Sequence, residues 1–98
     1  MKLLALEHNL PGIVAADPFS ASLLKDEAHR VWELHQAGII RELYFRADRH
    51  EAVLVLECAN AQEVCEVLNT LPLVREKLIG FEVIPLVAYP GFARLFAD

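Results

Sequence analysis

At 98 residues the chain allows one domain, residues 1–98, whose core leaves stability marginal unless partners bury more surface. Nine Lys and Arg against fourteen Asp and Glu leave a formal charge of −5, which argues against partners that are nucleic acids or anionic membranes. Apolar residues make up 55% of the chain, above the roughly 45–50% of ordinary domains, and the excess points to an interface.

Met1 to Leu6 opens like a signal peptide, but Glu7, His8 and Asn9 end the apolar run too early for one. No stretch approaches the ~20 apolar residues of a membrane span. Cys58 and Cys65 have neither a redox nor a zinc spacing. A cytoplasmic protein is expected.

Leu3 to His8 reads as a first strand, closed by the turn chemistry of Asn9-Leu10-Pro11-Gly12. Ser20 or Ser22 caps a helix running to about Ala37, with Gly38 as its stop. Ile39 to Arg46 and Glu51 to Cys58 are strands joined by the short polar stretch Ala47 to His50, the spacing of a hairpin. Asn60 caps a second helix, Glu63 stands in the capping-box position, and Pro72 ends the helix. A loop from Leu73 to Leu78 leads to a fourth strand, Ile79 to Ala88, in which Pro85 calls for an edge or a bulge. Phe92, Leu95 and Phe96 have the spacing of a short amphipathic helix in the tail and are expected to dock on this or a neighbouring subunit. The order β-α-β-β-α-β is that of a ferredoxin-like α+β sandwich.

The third strand, Ala52-Val53-Leu54-Val55-Leu56, is apolar on both faces, and so is the fourth from Val83 to Ala88. Two helices cover only one face of a four-stranded sheet. A second copy of the same sheet is the simplest cover for the other. The expectation is a homo-oligomer, a dimeric α+β barrel or a larger ring built from it.

On a helical projection of the first helix, Leu23, Leu34, Val31, Ala28 and Trp32 form an apolar stripe. Two polar residues break it. Glu27 lies between Leu34 and Val31, and His35 lies near the stripe's centre. A carboxylate facing the core is costly to ionise, so its pKa rises toward that of a general base working near neutrality. The plainer reading is a Glu27 that snorkels out or pairs with Arg30 or Lys2. His35 is either an edge residue or a hydrogen-bonding group for a ligand. In the second strand, alternation puts Arg41 with Ile39, Leu43 and Phe45, and Tyr44 on the opposite face. Arg41 is a candidate anion fork or a cross-strand ion pair. Tyr44 is a candidate to orient a substrate or a packing residue. The sequence contains no nucleotide, phosphate or nucleophile-elbow motif, and no cofactor or metal is expected.

Asp26-Glu27 precede Gly38 by about eleven residues, Ile40-Arg41-Glu42-Leu43-Tyr44 follow, and then come Leu71-Pro72-Leu73, Phe81-Glu82-Val83 and Tyr89-Pro90-Gly91. In these segments the chain resembles the muconolactone delta-isomerase family from about Leu23 to Pro90. The family's strand reads Trp-Arg-His-Leu-Trp and its tail His-Pro-Ser-Ser. The resemblance implies a ferredoxin-like fold paired through its sheets, and Glu27 and Arg41 match the family by position. Tyr89 stands in place of the tail histidine, Ala88 in place of the arginine before it, and Leu24 in place of a lysine. The function implied is cofactor-independent proton transfer next to a carbonyl of a small carboxylate or lactone. Glu27 and Arg41 would be catalytic, and Tyr44, His35 and Tyr89 substrate-binding. The alternative is a non-catalytic oligomeric small-molecule-binding protein of the same architecture.

Overall fold

The computed structural model describes residues 1–10 and 19–97. Strand β1 covers Lys2–Asn9, helix α1 Ala21–Gln36, β2 Ile40–Phe45, β3 Ala52–Glu57, α2 Ala61–Leu68, α3 Pro72–Arg75 and β4 Ile79–Pro85. Of the turn expected after the first strand, Pro11 and Gly12 lie outside the described residues, and Asn9 still belongs to β1. The strands form one antiparallel sheet in the order β2-β3-β1-β4. Each crossover passes one intervening strand, which is the ferredoxin-like arrangement.

The ends of α1 show why the helix has these limits. Ser20 Oγ accepts a hydrogen bond from Leu23 N at 3.1 Å, so Ser20 is the N-cap. At the other end Ile39 N donates to Leu34 O and Gly38 N to His35 O, both at 3.0 Å. That pair of bonds is a Schellman closure, and it needs a left-handed residue, here Gly38 at φ 78°. Helix α2 begins at Asn60, whose Oδ1 accepts from Glu63 N at 2.9 Å. Glu63 reaches back to Ala59 N at 3.2 Å, one residue beyond the capping-box donor, Asn60 N.

Two boundaries differ from the sequence expectation by about three residues, the others by one or so. Pro72 does not end α2, which stops at Leu68. It opens α3 instead, where a missing N–H leaves no bond unmade, so the expected loop carries a turn of helix. Strand β4 stops at Pro85 and not at Ala88, and Leu86 N donates to Lys2 O at 3.0 Å as it leaves the edge.

The core lies between one sheet face and the helices. Leu3, Ile40, Leu56, Leu71 and Val64 are its largest fully buried side chains. Strand β2 slips register between Ile40 and Glu42. Ile40 therefore pairs with Leu56 and enters the core, and Arg41 leaves the row of Leu43 and Phe45 in which plain alternation had put it. On the other sheet face Leu4, Leu6, Val53, Val55 and Ile84 are only half-buried. None of the described helices packs on that face.

Candidate functional site

A cavity of about 670 Å³ opens between the sheet and α1. Leu24, Ala28, Val31 and Trp32 of α1 line it together with Leu54 and Phe81 of the sheet. Only Leu34 of α1 is fully buried. The stripe that reads as a core face in the sequence is therefore half core and half cavity wall. That accounts for the exposure of Trp32 and Leu24, since a cavity wall has no packing partner.

Glu27 faces this cavity. It is half-buried and pairs with neither Arg30 nor Lys2: its Oε1 accepts from Leu73 N at 3.0 Å. Arg30 is engaged elsewhere, donating to Thr70 Oγ1 at 2.9 Å. Burial pushes the Glu27 carboxyl above the ordinary glutamate range, against the Leu73 amide, which pulls it down; Glu7 adds repulsion and Arg75 offsets part of it. His35 also lines the cavity. Its Nδ1 lies 2.9 Å from Ile40 O. A carbonyl only accepts, so Nδ1 carries the proton and the neutral ring has Nε2 left as an acceptor.

The other expected site residues fall differently. Tyr44 contributes to the lining, while its hydroxyl donates to Glu42 Oε1 at 2.9 Å and is held above its ordinary pKa by that carboxylate. Arg41 is exposed at the α1–β2 corner, donates from Nε to Gly38 O, and is not among the lining residues. Tyr89 is 68% exposed beyond the sheet, with its ring edge-on to Phe92 at 5.0 Å between centroids. Glu27 and His35 thus share one space, and Arg41 and Tyr89 stand outside it in the single chain.

Two titratable cavity residues were not anticipated. Glu7 lines the space, half-buried, with Oε1 accepting from Ala52 N at 3.2 Å. Burial pushes its carboxyl up; the Ala52 amide opposes this, Glu51 adds repulsion, and His50 and His8 pull down. The signal was available, because Glu7 continues the inward row of Leu3 and Ala5 at a period of two. His50 reaches the cavity by stacking on Phe45 at 4.2 Å. No sequence pattern announces that, since the hairpin turn places it. In this turn Arg46 clasps Asp48 through bonds of 2.8 and 2.6 Å, and Arg49 lies 2.9 Å from Glu51.

Among the described residues no group of three or more His, Cys, Asp or Glu could hold a metal ion, and no helix is long and apolar enough to cross a membrane. The muconolactone delta-isomerase family model matches residues 4–91. The crystal structure of a muconolactone isomerase superposes with a TM-score of 0.73 at 26% identity, covering 92% of each chain. A 5-chloro-2-hydroxyhydroquinone dehydrochlorinase from Burkholderia phenoliruptrix AC1100, solved with 2,5-dihydroxybenzoquinone, gives a TM-score of 0.61 at 15% identity, covering 93% of this chain and 98% of its own. At that identity it shows the fold alone. No curated protein sequence matches significantly.

Proposed function

Because the chain belongs to the muconolactone delta-isomerase family, we propose that it moves a proton next to a carbonyl of a small carboxylate or lactone, using side chains alone. The observation that carries this reading is Glu27: a carboxyl held by one backbone amide, half-buried in an apolar cavity, with its pKa raised by burial. In that state it is poised to accept a proton from carbon and return it. The electron pair of the broken C–H bond moves into an enolate. His35, when protonated, donates from Nε2 to the enolate oxygen, and Tyr44 orients the substrate at the rim. For Arg41 as the holder of the substrate's carboxylate, the family strand register is the only support. The tail that carries Tyr89 leaves its own body, so Tyr89 is assigned to the site of a neighbouring subunit.

A second reading, an oligomeric small-molecule-binding protein without turnover, is favoured by the position of Arg41 outside the cavity lining. Glu27→Gln separates the two. The amide keeps an oxygen for the Leu73 N–H but cannot take a proton. With muconolactone as the first substrate, followed by ultraviolet absorbance, turnover should fall at least ~100-fold, while calorimetric binding and the melting temperature persist. Binding without turnover by the unaltered protein would leave the binding module.

A further inference from the structure

The cavity holds a second acidic side chain that the proton transfer just described does not use. Glu7, near the end of β1, lines the same space as Glu27 on α1. The two are anchored alike. Ala52 N of β3 donates to Glu7 Oε1 at 3.2 Å, and Leu73 N of α3 donates to Glu27 Oε1 at 3.0 Å. In each, Oε2 has no hydrogen-bond partner among the described residues. Among the described residues each carboxyl is therefore held through one oxygen and carries no hydrogen bond at the other.

Two carboxylates in one mainly apolar space do not both ionise readily. We propose that Glu7 and Glu27 share one proton and act as an acid–base pair, Glu27 as the base and Glu7 as the acid, in a proton shift between two carbons of the substrate. The substrate side of this inference rests on the proposed function; the shared proton does not.

Surrounding charges act on both partners. The charge of Arg75 favours the ionised form of Glu27. Glu51 pushes the Glu7 carboxyl up, while His50 and His8 pull it down. The proposed function makes Glu27 the base, so the shared proton is placed on Glu7 in the reactive state.

Glu27 Oε2 takes a proton from the acidic carbon at one end of the conjugated system, and the C–H pair becomes part of an enolate. Glu7 gives its proton to the far carbon of the conjugated system, whose electrons form the new C–H bond as the carbonyl is restored. The substrate leaves isomerised with no net gain or loss of protons. Glu27 is then protonated and Glu7 ionised, and the proton returns to Glu7 through solvent. One carboxylate alone must carry the proton from one carbon to the other, whereas the pair serves both carbons in place.

Carbon-13 NMR of the glutamate carboxyls tests the pair without any substrate. The unaltered protein should show the two groups titrating in separate steps. In Glu27→Gln the Glu7 step should move to lower pH, and in Glu7→Gln the Glu27 step should do the same. A Glu7 titration unchanged by Glu27→Gln overturns the shared proton. With muconolactone in deuterated water, Glu7→Gln should still exchange the acidic C–H through Glu27 yet isomerise at least ~100-fold more slowly. Isomerisation by Glu7→Gln at the unaltered rate overturns the acid role. If the unaltered protein neither exchanges nor isomerises this lactone, the proposed function falls for it, and the titration alone upholds or overturns the pair.

Discussion

Glu7 and Glu27 tie the site to the stability of the fold through their protons. Both carboxyls have pKa values raised by burial, from an ordinary value of about 4.3. Between the ordinary and the raised value, the folded chain binds more protons than the unfolded one. Stability contributed by the neutral carboxyls is complete below the ordinary value and is lost as pH rises through the raised one. Asp48 acts in the opposite sense, because Arg46 draws its pKa down, so the comparison has to be by difference. Melting temperature measured against pH should fall less steeply through this window in Glu7→Gln and Glu27→Gln than in the unaltered protein. Parallel curves would mean that neither carboxyl is desolvated in the fold.

At the scale of elements, the joint between α1 and β2 sets the geometry. Gly38 closes the helix in the left-handed region, and the β2 slip that follows sends Ile40 inward and leaves Arg41 outside. A side chain at Gly38 would meet no hard clash, since the nearest atoms are those of Arg41 at 3.9 and 4.0 Å. The penalty for Gly38→Ala is thus conformational, about 1–2 kcal/mol, readable by urea unfolding. A neutral effect would mean that the joint relaxes to another backbone. The caps Ser20 and Asn60 were legible in the sequence, because a capping side chain acts within a few residues. The β2 slip was not, because it depends on how a neighbouring strand is offered.

For the whole molecule, the uncovered sheet face and the tail raise the same question. Leu4, Leu6, Val53, Val55 and Ile84 form an apolar surface with no described helix above it. Beyond Pro85, Phe92, Leu95 and Phe96 are 66%, 74% and 85% exposed around a short 3-10 turn, Gly91–Leu95. The radius of gyration is 16.1 Å, against about 13 Å for a compact chain of this length. The tail does not dock on the body among the described residues, and we propose that it docks on a neighbouring subunit. We propose that a second sheet covers the first. Sedimentation should find a dimer or larger at micromolar concentration, and Val55→Glu should dissociate or unfold it, since an unpaired buried charge is strongly destabilising. A stable monomer of the unaltered chain would remove the proposal. Deleting residues 91–98 should reduce oligomer size or lower the melting temperature by several degrees. No change in either would leave the tail a frayed end.

The order of elements, their caps and the two-faced strands followed from the sequence by itself, because period and capping chemistry act over a few residues. Glu27 also stood out, as a carboxylate interrupting an apolar stripe. Tertiary structure alone decided what that stripe faces. It made half of it the wall of a cavity, brought Glu7 from β1 to the same space, and fixed each carboxyl on a backbone amide from a distant segment, Ala52 or Leu73. It also left Arg41 outside, through the slip in β2. Residues far apart in the chain meet through the packing of sheet on helix, and no local pattern of side chains encodes that meeting.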